Sequence, residues 1–87
     1  MFGIFQKKAV IAKVDTHTKE VSTSDDFASM SIANKALTHI VSNDVNLIAY
    51  NKDENDFGGT IYNCAERQED KTLFHDVVFE VFPTSEL

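Results

Sequence analysis

Residues 53–56, Asp-Glu-Asn-Asp, form the densest run of oxygen-bearing side chains in the sequence and invite comparison with a calcium loop. Calcium loops place oxygen ligands at alternate positions of a twelve-residue segment, which ends on a bidentate carboxylate. Counting from Asp53, the fifth position is Phe57 and the twelfth is Cys64, and neither side chain offers an oxygen. We therefore expect an exposed polar loop and no calcium site.

Three histidines and one cysteine are the other candidates for metal binding or catalysis. His17, His39 and His75 are not followed by a second ligand two or four residues on, the spacing that brings two ligands to one side of a strand or helix. Cys64 lies within a predicted strand, where cysteine usually acts as a small buried hydrophobic residue. The sequence thus predicts no metal centre, no cofactor and no catalytic residues.

The pattern of apolar residues predicts one helix and five strands. Between residues 27 and 41, apolar side chains recur at three- and four-residue spacing, which is typical of an amphipathic helix. We expect the helix to begin where Thr23 and Asp26 resemble a capping box, although Ser29 or Ser31 would cap a shorter helix. The strands, predicted from apolar alternation and turn residues, cover residues 9–14, 20–23, 45–51, 60–66 and 73–82.

The element order ββαβββ predicts an α+β fold in a single domain spanning residues 1–87. We expect the helix to pack on one face of a four- to five-stranded, mainly antiparallel sheet, because short connections favour antiparallel neighbours. The order resembles that of the ubiquitin-like β-grasp fold, and a helix on a plain strand meander has the same order. Modifier members of that family end in Gly-Gly, whereas this chain ends Ser85-Glu86-Leu87, so the resemblance implies no modifier role.

The last predicted strand has apolar side chains on both faces, and this is the most informative feature of the sequence. Val77, Phe79 and Val81 share one face, while Val78 and Phe82 share the other with two acidic residues. One helix covers one face of a small sheet, so the far face, the side away from the helix, needs a second cover. We predict a homodimeric interaction module whose candidate interface consists of Ile11, Ile48, Tyr50, Val78 and Phe82.

The net charge of −6 lies entirely in the second part of the chain, where residues 51–87 have three basic and nine acidic side chains. Such a surface repels phosphates, so we expect no direct binding of nucleic acid. Because it would attract a basic protein, one alternative function is an acidic inhibitor that mimics nucleic acid on a basic partner. A second alternative is a small-molecule site or an enzyme pocket between sheet and helix, lined by aromatic side chains.

The sequence has neither a membrane-spanning nor a secretory pattern. No stretch approaches the roughly 18–20 apolar residues of a membrane span. In residues 1–8 the lysines follow a short apolar run, which is the reverse of a signal peptide. We expect these residues to pack on the core as an arm or a first strand. The single cysteine fits a reducing compartment, so we predict a cytoplasmic protein.

Overall fold

A computed structural model describes residues 7–87, and the predicted packing of the apolar N-terminal arm lies outside these residues. Within them, an antiparallel sheet of five strands carries one helix on one face, which confirms the predicted α+β fold. The elements are β1 (Ala9–Asp15), β2 (Val21–Thr23), α1 (Met30–Asn43), β3 (Leu47–Glu54), β4 (Thr60–Arg67) and β5 (Phe74–Pro83), followed by a 3-10 turn at Thr84–Glu86.

The strands lie in the order β2-β1-β5-β4-β3, so β5 is the central strand. β3, β4 and β5 are consecutive neighbours, and the chain therefore has the helix-on-meander arrangement, extended beyond β5 by the β1–β2 hairpin. The hairpin turns on Asp15, whose Oδ1 accepts the N–H groups of His17 and Thr18. Lys19 completes the turn in the left-handed region with φ 68, where glycine is the more usual residue.

The core lies between α1 and the sheet. α1 packs across β1, β5 and β3 and buries a stripe at three- and four-residue spacing, as its sequence predicts. The β5 side chains on this side are Val77, Phe79 and Val81, and each is at most 7% exposed. The buried residues of the core are Ala9, Ile11, Ala33, Leu37, Val41, Leu47, Tyr62, Cys64, Val77, Phe79 and Val81.

The predicted capping box at residues 23–26 is wrong, because β1 binds this segment in extended form at Ala9 and Ile11, just beyond its pairing with β2. The Ile11 N–H donates to Ser24 Oγ, and the Ser24 N–H donates to the Ile11 carbonyl, both over 2.9 Å. Ala9 and Phe27 exchange two further backbone hydrogen bonds. Since these backbone groups are already paired with β1, the chain cannot turn into a helix until residue 29.

α1 accordingly uses the shorter of the two predicted starts. Ser29 is the N-cap, with an extended backbone, and its hydroxyl accepts the N–H of Ile32 over 3.2 Å. At the other end, the Asp44 N–H closes the helix by donating to the carbonyl of Ile40. The following strand starts at Leu47, later than predicted, because Asp44 Oδ1 accepts the Asn46 N–H and holds a turn before it.

Ser29→Ala is expected to lower the free energy of unfolding by about 1 kcal/mol, because it removes the acceptor for the Ile32 N–H. Urea denaturation followed by circular dichroism measures this difference. Ser31→Ala is the matched control: Ser31 is exposed in the first helical turn, and its loss should change stability by less than about 0.5 kcal/mol. Equal effects of the two substitutions would contradict the assignment of Ser29 as the cap.

Candidate functional site

The far face collects large apolar side chains from three strands and one loop. Strand register places Val78 and Phe82 there, because they alternate with the core residues of β5. Ile61 lies beside them on β4, and all three are half-buried. More exposed members surround these three. We define the far-face patch as Ile48, Tyr50, Phe57, Ile61, Phe74, Val78 and Phe82, of which Ile48 is 55%, Tyr50 60%, Phe57 45% and Phe74 44% exposed.

The structure brings together four of the five predicted interface residues, namely Ile48, Tyr50, Val78 and Phe82. Ile11 does not join them: it lies opposite Val81 on the helix side of the sheet and is 6% exposed in the core. The expectation that Ile11 has no helix to cover it is therefore wrong. Both sides of β1 are apolar in sequence, so alternation alone could not decide which side faces α1. The residues that β1 places on the far face are Val10, Ala12 and Val14, the first two of them buried.

Three members of the far-face patch were missing from the predicted interface. Ile61 and Phe74 could have been found by extending the alternation of their strands from the core positions Cys64 and Val77. Phe57 could not, because it lies in the connection between β3 and β4, where no periodicity applies. Its ring centroid lies 6.5 Å from that of Phe82, in an edge-on orientation.

The loop that positions Phe57 is held by Asn55, a residue of the run considered above for calcium. The Asn55 amide group donates to Glu80 Oε2 over 2.9 Å and to the Val81 carbonyl over 2.8 Å. Its Oδ1 accepts the N–H groups of Phe57 and Gly59. The side chain is thus fully used in fixing the loop to β5, and two acidic residues of the run belong to the end of β3. No group of three or more His, Cys, Asp or Glu side chains in residues 7–87 is arranged to hold a metal ion.

Two polar side chains of β3 form hydrogen bonds to neighbouring strands on the far face. A bulge between Ala49 and Asn51 places Tyr50 and Asn51 on the same side of β3. The Tyr50 hydroxyl donates to Asp76 Oδ1 over 3.4 Å, and the Asn51 amide donates to Asn63 Oδ1 over 3.2 Å. Desolvation raises the pKa of Tyr50, and the neighbouring Asp76 charge raises it further, so the phenol keeps its proton as a donor.

A second cluster, on the helix side of the sheet, contains the only close histidine pair in the described part of the chain. His75 Nδ1 lies 2.9 Å from Asp15 Oδ2, and the His17 ring stacks on His75 with centroids 4.4 Å apart. Lys13 Nζ forms an ion pair with Glu66 Oε2 over 2.7 Å. The His75 hydrogen bond is the main reason that the pKa of Asp15 falls from 3.8 to about 2. Each charged group of the cluster thus has a partner of opposite sign or a hydrogen bond.

Cys64 does not supply this cluster with a nucleophile. The thiol is fully buried, and its pKa is raised first by that burial and then by the charge of Glu66, so it stays protonated at neutral pH. A hollow of about 280 Å³ opens between α1, β1 and β2, but the residues described as lining it include no histidine, cysteine or carboxylate. The aromatic residues considered for a pocket instead divide between the core, which takes Tyr62 and Phe79, and the far-face patch.

Comparison with known proteins gives this chain no relative. No protein-family model matches it, and neither curated proteins nor solved structures give a significant match. In the part of the chain that the structure describes, no helix is long and apolar enough to cross a membrane. Functional inference therefore rests on the geometry of the chain itself, and the far-face patch is the candidate site.

Gly59→Ala is expected to destabilise the fold by about 3 kcal/mol, because an added Cβ would collide with the backbone carbonyl of Val81. Gly58→Ala is the matched control. Gly58 has φ +81 but open space around it, so its replacement should cost only about 1 kcal/mol of backbone strain. Urea denaturation of the two variants measures the difference. A Gly58 variant as unstable as the Gly59 variant would contradict this account of the loop.

Replacing His75 by Phe is expected to return the pKa of Asp15 from about 2 towards its ordinary 3.8. In the wild type, the folded state binds fewer protons than the unfolded state, so the stability due to Asp15 is complete above about pH 4 and is lost as the pH falls towards 2. The variant should lose this acid sensitivity. Titration of the Asp15 carboxyl carbon by NMR measures both proteins, and a wild-type value near 3.8 would refute the pair.

Proposed function

We propose that this protein is a small assembly module that forms a homodimer through the far-face patch. One observation carries the proposal: four large apolar residues on one side of the sheet are 44–60% exposed, and they adjoin three more that are half-buried. Among residues 7–87, no helix or strand lies over this side, because α1 packs on the other.

The exposed area supports an interface of this kind. An aromatic side chain offers about 150–250 Å² for burial, so Tyr50, Phe57 and Phe74 each expose roughly 100 Å². With Ile48 and the half-buried members, the patch amounts to roughly 500 Å², in the upper part of the ~300–600 Å² range of the largest patch on a monomer, which is often a functional surface. Together with the polar side chains around it, such a patch forms the apolar centre of a standard interface, to which each partner contributes ~800 Å².

The polar groups within the patch favour burial over exposure to solvent. An unpaired buried polar group costs about 1–3 kcal/mol, whereas a paired one costs much less. The Tyr50–Asp76, Asn51–Asn63 and Asn55–Glu80 hydrogen bonds already satisfy donors on this face. A partner that covers the face therefore leaves few donors without an acceptor.

The face, and not the edge of the sheet, is the surface that we assign to the dimer. β3 is the long edge strand, but it has a bulge at Ala49–Asn51 and exposed charges at Lys52, Asp53 and Glu54. Bulges and charged side chains are the features that prevent edge-to-edge pairing in natural sheets. Two far faces can stack while the bulge and the exposed charges of β3 stay in place.

The acidic side chains give less support to the inhibitor alternative. They are distributed over both sides of the sheet, with Glu66 on the helix side and Asp53, Asp76 and Glu80 on the far face. Glu66 and Glu80 are also engaged with Lys13 and Asn55. We retain a cytoplasmic location and no direct nucleic-acid binding as parts of the proposal, because the single cysteine is a free buried thiol and the net charge is −6.

Sedimentation equilibrium at micromolar concentration is expected to give twice the mass of one chain. Ile48→Lys should shift the mass to that of a monomer, because a charge would be buried without a partner in the interface. The expected rise in the dimer dissociation constant is at least tenfold.

Ile32→Lys is the matched control for this substitution. Ile32 is 49% exposed, close to the 55% of Ile48, but it lies on α1 and so on the other side of the molecule. The control should remain dimeric. A wild-type protein that is monomeric at all accessible concentrations, or an Ile32 variant that dissociates as readily as the Ile48 variant, would refute the proposal.

A further inference from the structure

The far face carries Arg67 at one end and two of its three strand carboxylates, Asp53 and Glu80, at the other; the third, Asp76, lies opposite Ala65 and accepts the Tyr50 hydroxyl. Asp53 and Glu80 both pair with Ile61, one on each side of it, and so lie at one end of the face. Arg67 lies at the other end of β4, opposite Phe74. Arg67 lies six positions after Ile61 on β4, a distance of about 20 Å along the strand. Among the residues of the described strands, Arg67 is the only basic side chain on this face.

The cation is exposed and available for a partner. The Arg67 guanidinium lies 5.6 Å from the centroid of the Phe74 ring, which holds it against the apolar surface. At the acidic end, Asp53 is exposed, and its carboxylate accepts only the N–H of the next residue among the hydrogen bonds of the described chain. The Glu80 carboxylate receives the Asn55 amide. Both ends therefore carry charges that a complementary surface would neutralise.

We infer that two copies stack far face to far face with their strands antiparallel, so that Arg67 of each copy meets Asp53 and Glu80 of the other. This arrangement rests on the proposed function. A two-fold axis that runs across the strands at the level of Cys64, midway between Ile61 and Arg67, exchanges the two ends of the face, and it forms the Arg67 contact twice. A second copy is the occupant because the face is complementary to itself.

The other face-to-face arrangement with two-fold symmetry is unfavourable on the same grounds. An axis parallel to the strands would place the acidic end of one copy over the acidic end of the other. Like charges brought together in an interface from which water is excluded oppose association, and they exclude wrong orientations. The antiparallel arrangement also sets the Phe57–Phe82 end of one copy over the Phe74 end of the second, so that aromatic side chains meet across the interface.

Reversal of one charge at each end of the face, in separate variants, tests this arrangement. Arg67→Glu and Asp53→Arg are made separately, and each alone should raise the homodimer dissociation constant at least tenfold, because like charges then meet twice. An equimolar mixture of the two variants should form a heterodimer with affinity restored to within about threefold of the wild type. In that heterodimer, Glu at 67 meets Arg at 53, and the remaining Arg67 meets the remaining Asp53.

Sedimentation equilibrium of each variant and native mass spectrometry of the mixture, with one variant isotopically labelled, provide the readouts. Lys35→Glu, an exposed helix position with the same change in net charge as Arg67→Glu, is the control and should dimerise as the wild type does. Circular dichroism verifies that each variant is folded.

The outcomes separate the arrangement from the proposed function. A dimeric wild type that Ile48→Lys dissociates, combined with charge variants that dimerise normally or a mixture that fails to form heterodimers, overturns the antiparallel arrangement alone. A monomeric wild type overturns the proposed function, and this inference with it. Dissociation of both single variants with recovery in the mixture supports the inference.

Discussion

The alternation of side chains along β5 is the constraint on which the rest of the molecule depends. β5 is the central strand, and it has apolar residues on both sides. α1 covers Val77, Phe79 and Val81, but a rod of 14 residues, about 21 Å long, lies on one side of the sheet only. Val78 and Phe82 face the other side. The strand that builds the core therefore also creates the surface that we assign to assembly.

Two backbone arrangements hold this layered structure in place. At one edge, β1 hydrogen-bonds the segment from Ser24 to Phe27, and this sets where the chain leaves the sheet to begin α1. On the other side of β5, the Asn55 side chain binds the β3–β4 loop to β5 at Val81. Gly59 permits that close approach because it has no Cβ. The core and the far-face patch are consequently coupled, since the loop that is anchored to β5 is also the loop that presents Phe57.

The class of the fold could be predicted because it depends on periodicity, which the sequence displays directly. Details that depend on competition between similar local signals could not. Thr23 and Ser29 are both good helix caps, and hydrogen bonds from a strand distant in sequence decided between them. Ile11 lies in a strand that is apolar on both sides, so only its pairing with β5 shows which side meets α1. Phe57 lies in the candidate site because the Asn55 side chain fixes the shape of the β3–β4 loop. No periodic pattern in the sequence indicates the contact between Phe57 and Phe82.

The charged cluster around Asp15 and His75 differs from the far-face patch in which groups remain without a partner. This difference favours assembly over catalysis. Asp15 has its His75 partner and two backbone donors, and Lys13 has Glu66, so the charges of that cluster are used within the fold. The far-face patch is the reverse case: its donors are paired, but its apolar area remains in contact with water. Exposed apolar area has an unfavourable free energy of roughly 25 cal/mol per Å², so covering the far-face patch is a large gain in free energy. In the dimer that we propose, a second copy provides that cover, and Arg67 of each copy meets Asp53 and Glu80 of the other.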